Sequence, residues 1–293
     1  MNMISPNLTP HPNPKKPDIR LPEGACDAHC HVFGPGDVFP YSTSATYRPE
    51  DAPKERLRAL HDHLGLSRAV IVQASCHGTD NAAMVDALLA SDGKWRGIAM
   101  VERDVTPEAL QALHDAGVRG VRFNFVNHLG EGADHDAVLE IVEKIKPLGW
   151  HIVVHFNAEK LEGLAPFLEK IDLTMVIDHM GRVDASKGTD QLAFRLLLKL
   201  MEDKRFWVKV SGCERVSRAG PPFHDAAEFA RILVERFPDR VLWGTDWPHP
   251  NIKANMPDDG ALVDLLKIIA PTAESLKTLL VDNPTRLYWP ETL

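Results

Sequence analysis

Short apolar runs alternate with amphipathic stretches along most of this chain. The eight apolar runs are GACDAHCHV, RAVIVQAS, WRGIAMV, VRGVRFNF, HIVVHF, LTMVIDH, FWVKVSG and RVLWGTD. The amphipathic stretches between them lie at residues 53–64, 80–91, 107–115, 135–146, 159–170, 190–202 and 224–236. A continuous apolar run is typical of a strand covered on both faces, and its alternation with helical patterns predicts parallel βαβ units.

The number of these units predicts a closed α/β barrel. Eight strand and helix units in 293 residues fit a single (β/α)8 barrel of the TIM type, which usually takes about 250 residues. The alternative, a doubly wound open sheet, would carry a GxGxxG loop after its first strand, and the sequence has none. Residues 1–22, rich in Pro and Asn, predict an extended N-terminal arm, and residues 23–293 predict the barrel.

Composition narrows the function classes. Hydrophobic residues make up 44% and charged residues 25% of the chain, with a net charge of -8, and no basic stripe favours nucleic-acid binding. The sequence has no run of 18 apolar residues and no apolar segment typical of a signal peptide, so neither membrane association nor export is expected. Four scattered cysteines are typical of reduced thiols in a cytoplasmic protein. A homo-oligomer is compatible with all of this.

Polar side chains follow seven of the eight apolar runs. They are His29 and His31, Ser75 and His77, Arg122 and Asn124, His155, His179, Ser211 and Arg215, and Asp246. In a barrel the carboxyl ends of all strands converge on one face, which is where the active sites of such barrels lie. The pattern therefore predicts an active site built from these strand ends.

His29 and His31 stand two residues apart on the first predicted strand. Alternate strand residues point to the same face, so both imidazoles are expected to face the barrel mouth, where they can share a metal ion or polarise a carbonyl group. By the same periodicity Asp27 is expected to point the same way, deeper in the barrel. Two half-buried structural histidines would give the same pattern, so this pair alone does not decide the chemistry.

Asp246 ends the eighth run and is followed by Trp247-Pro248, so the chain cannot enter a helix at once. A carboxylate at that place can act as a general base on water, although a turn aspartate is the simpler alternative. Arg122 and Arg215 can grip a substrate carboxylate with two hydrogen bonds, or can form internal salt bridges.

Several longer motifs carry a resemblance to a known family. They are DAHCHVFGP at 27–35, VIVQASCHGTDNAA at 70–83, VRFNF at 121–125, VIDHMGR at 176–182, GTDWPHPN at 244–251, PDDG at 257–260 and NPTRLYW at 283–289. Together they resemble the lactonase branch of the amidohydrolase superfamily, most of all the 2-pyrone-4,6-dicarboxylate hydrolases of aromatic-compound breakdown. The resemblance runs from about residue 24 to the end of the chain and also includes the related 4-sulfomuconolactone hydrolases.

This resemblance implies roles for particular residues. Asp246 would activate water without a metal, and His29, His31 and His179 would surround the lactone carbonyl. Substrate binding would fall to Arg122, Arg215, Tyr47 and Ser75, and Asn124 and His128 of this chain are further candidates for substrate binding. The implied activity is hydrolysis of a small anionic lactone.

The sequence departs from the pyrone hydrolase pattern at two places. Asn127-His128 stands where that pattern has Lys-Arg, and His155 stands where it has tyrosine. With His155, the set resembles the zinc-binding residues of metal-dependent members, namely His29, His31, His155, His179 and Asp246. The resemblance therefore implies either one divalent metal such as zinc, which would lower the pKa of bound water to about 7, or no metal at all.

Three alternatives follow from these departures. A missing arginine fits a differently charged substrate, as in a metal-dependent 4-sulfomuconolactone hydrolase. A related branch of the superfamily carries out non-oxidative decarboxylation with a similar metal set. A catalytically inactive binding protein is the alternative from another class, and the presence of Asp246 together with the histidines argues against it.

Overall fold

A computed structural model describes residues 9–126 and 133–292. Eight parallel strands follow one another in chain order around one sheet. They are β1 Cys26–Cys30, β2 Arg68–Val72, β3 Trp95–Ala99, β4 Val118–Asn124, β5 His151–His155, β6 Met175–Ile177, β7 Phe206–Lys209 and β8 Val241–Leu242. Each strand coincides with one predicted apolar run, and the predicted (β/α)8 barrel is confirmed.

Helices separate the strands on the outside of the barrel. They are α1 Lys54–Leu64, α2 Ala82–Leu89, α3 Pro107–Asp115, α4 His135–Ile145, α5 Leu161–Leu168, α6 Leu192–Leu200, α7 Cys213–Val216 and α8 His224–Arg236, followed after β8 by α9 Asp259–Asp264, α10 Leu266–Ile269, α11 Ala273–Lys277 and α12 Asn283–Tyr288. Every predicted amphipathic stretch contains a helix. The four helices after β8 were not predicted, because segments of four to six residues are too short to show helical periodicity. None of the described helices is long and apolar enough to cross a membrane.

Backbone hydrogen bonds join the eighth strand region to the first and close the barrel. The Ala28 amide donates to the Trp243 carbonyl at 2.8 Å, and the Asp246 amide donates to the His29 carbonyl at 2.7 Å. A Cβ atom at Gly244 would lie 2.3 Å from the His29 backbone nitrogen, so only glycine allows the two chains to approach this closely. The closure places Asp246 directly beside β1.

A bulge in β1 overturns the expected orientation of Asp27. The register of β1 on β2 shifts by one residue between Asp27 and Cys30, so strict alternation fails there. Asp27 Oδ2 accepts hydrogen bonds from His61 Nε2 of α1 at 3.1 Å and from the Thr245 hydroxyl at 2.6 Å. Asp27 therefore faces the surrounding helix layer and ties β1 to α1, instead of pointing into the barrel with the histidines.

The barrel interior is apolar at its amino-terminal end. Its buried cluster consists of Cys26, Ala28, Val70, Val72, Ile98, Val153, Val176, Trp207, Leu242, Tyr288 and Trp289. Tyr288 closes this end, since its ring lies 5.2 Å from that of His151, the first residue of β5. The strands therefore enclose a packed core below and leave only their carboxyl ends for polar chemistry.

Candidate active site

Asp246 lies at the centre of a ring of histidines. Its Oδ1 is 3.2 Å from His31 Nε2 and 3.5 Å from His29 Nε2, and its Oδ2 is 3.7 Å from His179 Nε2. Arg215 Nε donates to the same Oδ2. All five side chains are buried or nearly so, and they come from the ends of β1, β6, β7 and β8. The structure therefore brings together residues that are far apart in the sequence.

A second carboxylate, Asp178, lies beside this ring and contacts His29, Arg122 and Lys209. Its Oδ1 is 3.1 Å from Lys209 Nζ and 3.2 Å from His29 Nδ1. Its Oδ2 accepts a hydrogen bond from Arg122 Nε at 3.0 Å and lies 2.9 Å from Arg122 Nη2. Lys209 Nζ is also 2.9 Å from His29 Nδ1. Asp178 and Lys209 are fully buried, so this is an ion-pair network inside the barrel.

These contacts determine the tautomer of His29. An ammonium group can only donate, and Lys209 Nζ is nearer to His29 Nδ1 than Asp178 Oδ1 is, so we infer that Lys209 donates to Nδ1 and that the imidazole proton lies on Nε2. Burial, followed by the charge of Lys209, holds the pKa of His29 well below its usual value, so the ring is neutral. His29 Nε2 has no hydrogen-bond partner among residues 9–126 and 133–292. A neutral imidazole therefore presents an N–H group beside Asp246.

His31 and His179 are oriented by other partners. His31 Nδ1 donates to the Val72 carbonyl at 2.7 Å, and His179 Nδ1 lies 3.2 Å from the Ser211 hydroxyl. His179 has a left-handed backbone with φ of 49°, an uncommon conformation for a residue other than glycine. The Gly212 backbone packs against it, since a Cβ there would lie 2.7 Å from His179 Nδ1.

The carboxyl groups of this site are ionised despite their burial. Burial opposes ionisation of Asp246, but Arg215 and His179 outweigh it and hold the pKa well below its usual value. Burial likewise opposes ionisation of Asp178, and Lys209, His29 and Arg122 again bring its pKa well below the usual range. Asp246 is therefore a carboxylate and can accept a proton.

A narrow cavity opens above Asp246. Its lining is His31, Tyr47, Ala74, Ser75, Arg122, His155, His179, Arg182, Arg215, Asp246, Pro250 and Asn251. Three arginines in so small a space favour an anionic ligand. His31, His179 and Asp246 of the ring line this cavity, so a ligand bound by the arginines would lie against Asp246.

The remaining predicted substrate-binding residues differ in position. Tyr47 and Ser75 lie together in the cavity wall, with their hydroxyl oxygens 3.5 Å apart. The Asn124 side-chain oxygen Oδ1 is 3.2 Å from His155 Nδ1, and Asn124 lines a neighbouring groove on the outer side of Arg122. His128 lies outside the described residues.

Three groups of side chains in the described part of the chain place metal-ligand atoms within 4.8 Å of one another, and one of them is His29, His179 and Asp246. A metal-bound histidine normally donates its second N–H to a carboxylate or carbonyl group, as His31 does. His29 Nδ1 lies 2.9 Å from Lys209 Nζ and 3.2 Å from Asp178 Oδ1, and His155 Nδ1 accepts from Arg122 Nη2 at 3.1 Å. Arg215 already pairs with the Asp246 carboxylate. Cations therefore lie against three of the five predicted ligands, whereas His29, His179 and Asp246 keep ligand atoms close enough together to hold one ion.

Sequence reasoning missed four charged residues of this region, namely Asp178, Arg182, Lys209 and Glu214. Two of them carried a signal, because Asp178 and Lys209 interrupt apolar strand runs, where an unpaired charge is costly. Glu214 follows β7, and its carboxyl oxygen is 3.6 Å from Arg215 Nε and 3.9 Å from His249 Nδ1. Burial raises the pKa of Glu214 to about 7.

Comparison with known proteins agrees with this geometry. The amidohydrolase family matches residues 26–289, and the chain belongs to this family. It is 56% identical over 288 residues to a 2-pyrone-4,6-dicarboxylate hydrolase of Comamonas testosteroni, covering 95% of this chain and 94% of the relative. It is 41% identical to a 4-sulfomuconolactone hydrolase of Rhizobium radiobacter, covering 92% and 91%.

A solved structure shows the same likeness. A probable 2-pyrone-4,6-dicarboxylic acid hydrolase from Acinetobacter baumannii, with citric acid bound, superposes with a TM-score of 0.81 at 29% identity. The match covers 91% of this chain and 99% of that chain. The resemblance noted from the sequence motifs is thus confirmed.

Proposed function

We propose that this protein is a hydrolase that opens the ring of a small acidic lactone of the 2-pyrone-4,6-dicarboxylate type, in aromatic-compound catabolism. The observation that carries the proposal is the Asp246 carboxylate, surrounded by three imidazoles at the floor of an arginine-lined cavity. The names of the relatives support the same reaction class, since both are lactone hydrolases.

Asp246 is the general base in this proposal. It takes a proton from a water molecule while the hydroxide oxygen bonds to the lactone carbonyl carbon. The bond between that carbon and the ring oxygen then breaks, and the ring oxygen takes the proton from Asp246. The product is the ring-opened acid, and Asp246 returns to its carboxylate form.

His29 stabilises the negative charge that develops on the carbonyl oxygen. Its Nε2–H group is fixed by Lys209 on the other side of the ring and needs no reorganisation during the reaction. Removing one such donor typically slows a reaction by about 10²- to 10³-fold. His31 and His179 complete the polar surroundings of the carbonyl group.

Arginine side chains hold the acid groups of the substrate in this proposal. Arg122 keeps one edge toward Asp178 and His155 and presents the rest to the cavity. Tyr47 and Ser75 supply hydroxyl groups in the same wall, and Arg215 joins the cavity to Asp246. Asn124, at the outer side of Arg122, and His128, outside the described residues, remain predicted contributors.

We also propose that the reaction proceeds without a metal ion. Three cations support this, since Lys209 donates to His29 Nδ1, Arg122 to His155 Nδ1 and Arg215 to the Asp246 carboxylate. The charge balance of the site is therefore supplied by the protein itself.

The deciding experiment incubates the purified protein with 2-pyrone-4,6-dicarboxylate and follows loss of the pyrone absorbance, before and after chelator treatment, with metal content measured on the same sample. We expect rapid, chelator-resistant loss with substoichiometric metal. Turnover of 4-sulfomuconolactone instead would move the assignment to that activity, and CO₂ release without ring opening would indicate a decarboxylase. No turnover of either lactone would refute the proposal.

Location, assembly and domain limits are further parts of the proposal. All four cysteines are free and buried, which supports a cytoplasmic location. Residues 1–22 would form an arm on the barrel of residues 23–293; residues 9–22 contain no helix or strand, and the Lys15 ammonium lies 2.6 Å from Asp264. A homo-oligomer stays a prediction, which light scattering after gel filtration would test.

A further inference from the structure

Arg182 differs from the other two arginines of the cavity. Arg122 is paired with Asp178, and Arg215 is paired with Asp246. Arg182 lines the same cavity but makes no hydrogen bond or ion pair with any residue in 9–126 or 133–292. Among the cavity arginines, it is the one without a hydrogen-bonded or ion-paired partner in that part of the chain.

The position of Arg182 is energetically unfavourable for both its charge and its backbone. Burial, and then the nearby charge of Arg215, lowers the pKa of Arg182 to about 10. Its backbone is left-handed, with φ of 53°, as is that of Met180 two residues earlier. Strained backbone of this kind persists where surrounding structure holds it, and it concentrates at ligand sites. An unneutralised cation in a narrow cavity is stabilised when an anion binds.

We propose that Arg182 is the anchor for an anionic substituent of the substrate and makes the enzyme select lactones that carry a second anionic group. This inference rests on the proposed function and identifies the residue that binds the second anionic group of the substrate. Arg122 and Arg215 divide their hydrogen bonds between the substrate and internal carboxylates. Arg182 has its whole guanidinium group available for a carboxylate or sulfonate.

Binding of ligands that cannot be hydrolysed tests this assignment. Benzene-1,3-dicarboxylate is a planar ring whose two carboxylates have the same spacing as positions 4 and 6 of the pyrone, and benzoate lacks one of them. Calorimetry would give the dissociation constants of both for the wild type, Arg182→Met, Arg182→Lys and the control Arg218→Met. The control substitution removes the same charge outside the cavity, where Arg218 pairs with Asp184 at 3.4 Å.

We expect Arg182→Met to weaken dicarboxylate binding by about 10- to 100-fold, the usual effect of losing hydrogen bonds to a charged group. The ratio of the benzoate dissociation constant to the dicarboxylate dissociation constant should fall to about one in that variant. Arg182→Lys should restore this ratio in part, and Arg218→Met should leave it unchanged. Circular dichroism would confirm that the variants are folded.

Two results would overturn the assignment. One is an Arg182→Met protein that binds the dicarboxylate as tightly as Arg218→Met, and the other is an equal loss for both ligands. Neither measurement depends on turnover. A wild type that hydrolyses no lactone but shows the Arg182-dependent preference would refute the proposed function and leave the anchor standing.

Discussion

The two ends of the barrel interior are built on opposite physical principles. The amino-terminal end is filled by apolar side chains and closed by Tyr288 and Trp289. The carboxyl-terminal end holds Lys209, Asp178 and Asp246 without exposure to solvent, apart from a narrow cavity. Both ends are buried equally well, and only the identity of the side chains differs.

The difference separates stability from chemistry within one barrel. Apolar burial stabilises the fold without directional requirements, whereas each buried charge needs a partner in a defined geometry. At the charged end Asp178 has three such partners, Lys209, His29 and Arg122. Substitutions at the charged end should therefore alter catalysis first, and those at the apolar end should alter stability alone.

The largest effect is expected for Asp246→Asn. An amide cannot accept the proton of the attacking water, so kcat should fall by about 10³-fold or more while the fold is kept. Steady-state kinetics and circular dichroism would measure the two effects. Asp184→Asn, on the surface beside Arg218, is the control and should retain full activity. An Asp246→Asn enzyme within tenfold of the wild type would remove Asp246 from the role of base.

Lys209→Met should lower both activity and stability. Without the ammonium group, His29 Nδ1 can donate to Asp178, so the proton leaves Nε2 and kcat should fall by about 10²-fold. Loss of one partner of a buried ion pair typically costs about 3–5 kcal/mol, although Arg122 remains on Asp178.

The histidine tautomer separates this role of Lys209 from simple destabilisation. Nitrogen NMR of His29 should show the proton on Nε2 in the wild type and on Nδ1 in Lys209→Met. An unchanged tautomer with lowered activity would contradict the positioning role. Lys144→Met, which changes a lysine bonded to the Arg103 and Val105 carbonyls, is the control for charge loss.

Ile98→Ala tests the apolar end. Ile98 is fully buried in the inner cluster, and removal of its side chain should cost about 2–5 kcal/mol of unfolding free energy. Activity of the folded fraction should stay within about twofold of the wild type, since β3 contributes no residue to the ring around Asp246. Denaturant unfolding and kinetics at low temperature would check both. A large loss of kcat in the folded protein would contradict the proposal that the apolar end of the barrel affects stability alone.

The smallest effect is expected for Glu214→Gln and depends on pH. The pKa of Glu214 is raised by burial from an ordinary 4.5 to about 7. Between these values the folded protein keeps a proton that the unfolded chain has released, so this stabilisation is complete below about pH 4.5 and is lost as the pH rises through 7. Glutamine cannot ionise and avoids that loss.

Thermal unfolding should therefore show a larger gain for Glu214→Gln over the wild type at pH 8 than at pH 5, by about 2–4 °C. Glu235→Gln, at an exposed pair with Arg231, should show no such pH dependence. A gain that is equal at both pH values would mean that Glu214 ionises normally in the folded protein.

Much of the barrel could be predicted from the sequence because strand burial leaves a local pattern. All eight strands lie within predicted apolar runs, and His29, His31, His179 and Asp246 meet as their positions at strand ends indicated. The orientation of Asp27 could not be predicted, since a one-residue bulge reverses the alternation and leaves no mark in the residue types.

The sequence by itself determined the fold class, the face that carries the site and the family, because periodicity and short motifs are properties of neighbouring residues. Only the tertiary structure decided which charge faces which. Lys209 meets His29 across 180 positions, and Arg215 meets Asp246 across 31. The tautomer of His29, the cations beside the predicted metal ligands and the unpaired guanidinium group of Arg182 all depend on such distances, which barrel closure sets and no local pattern records.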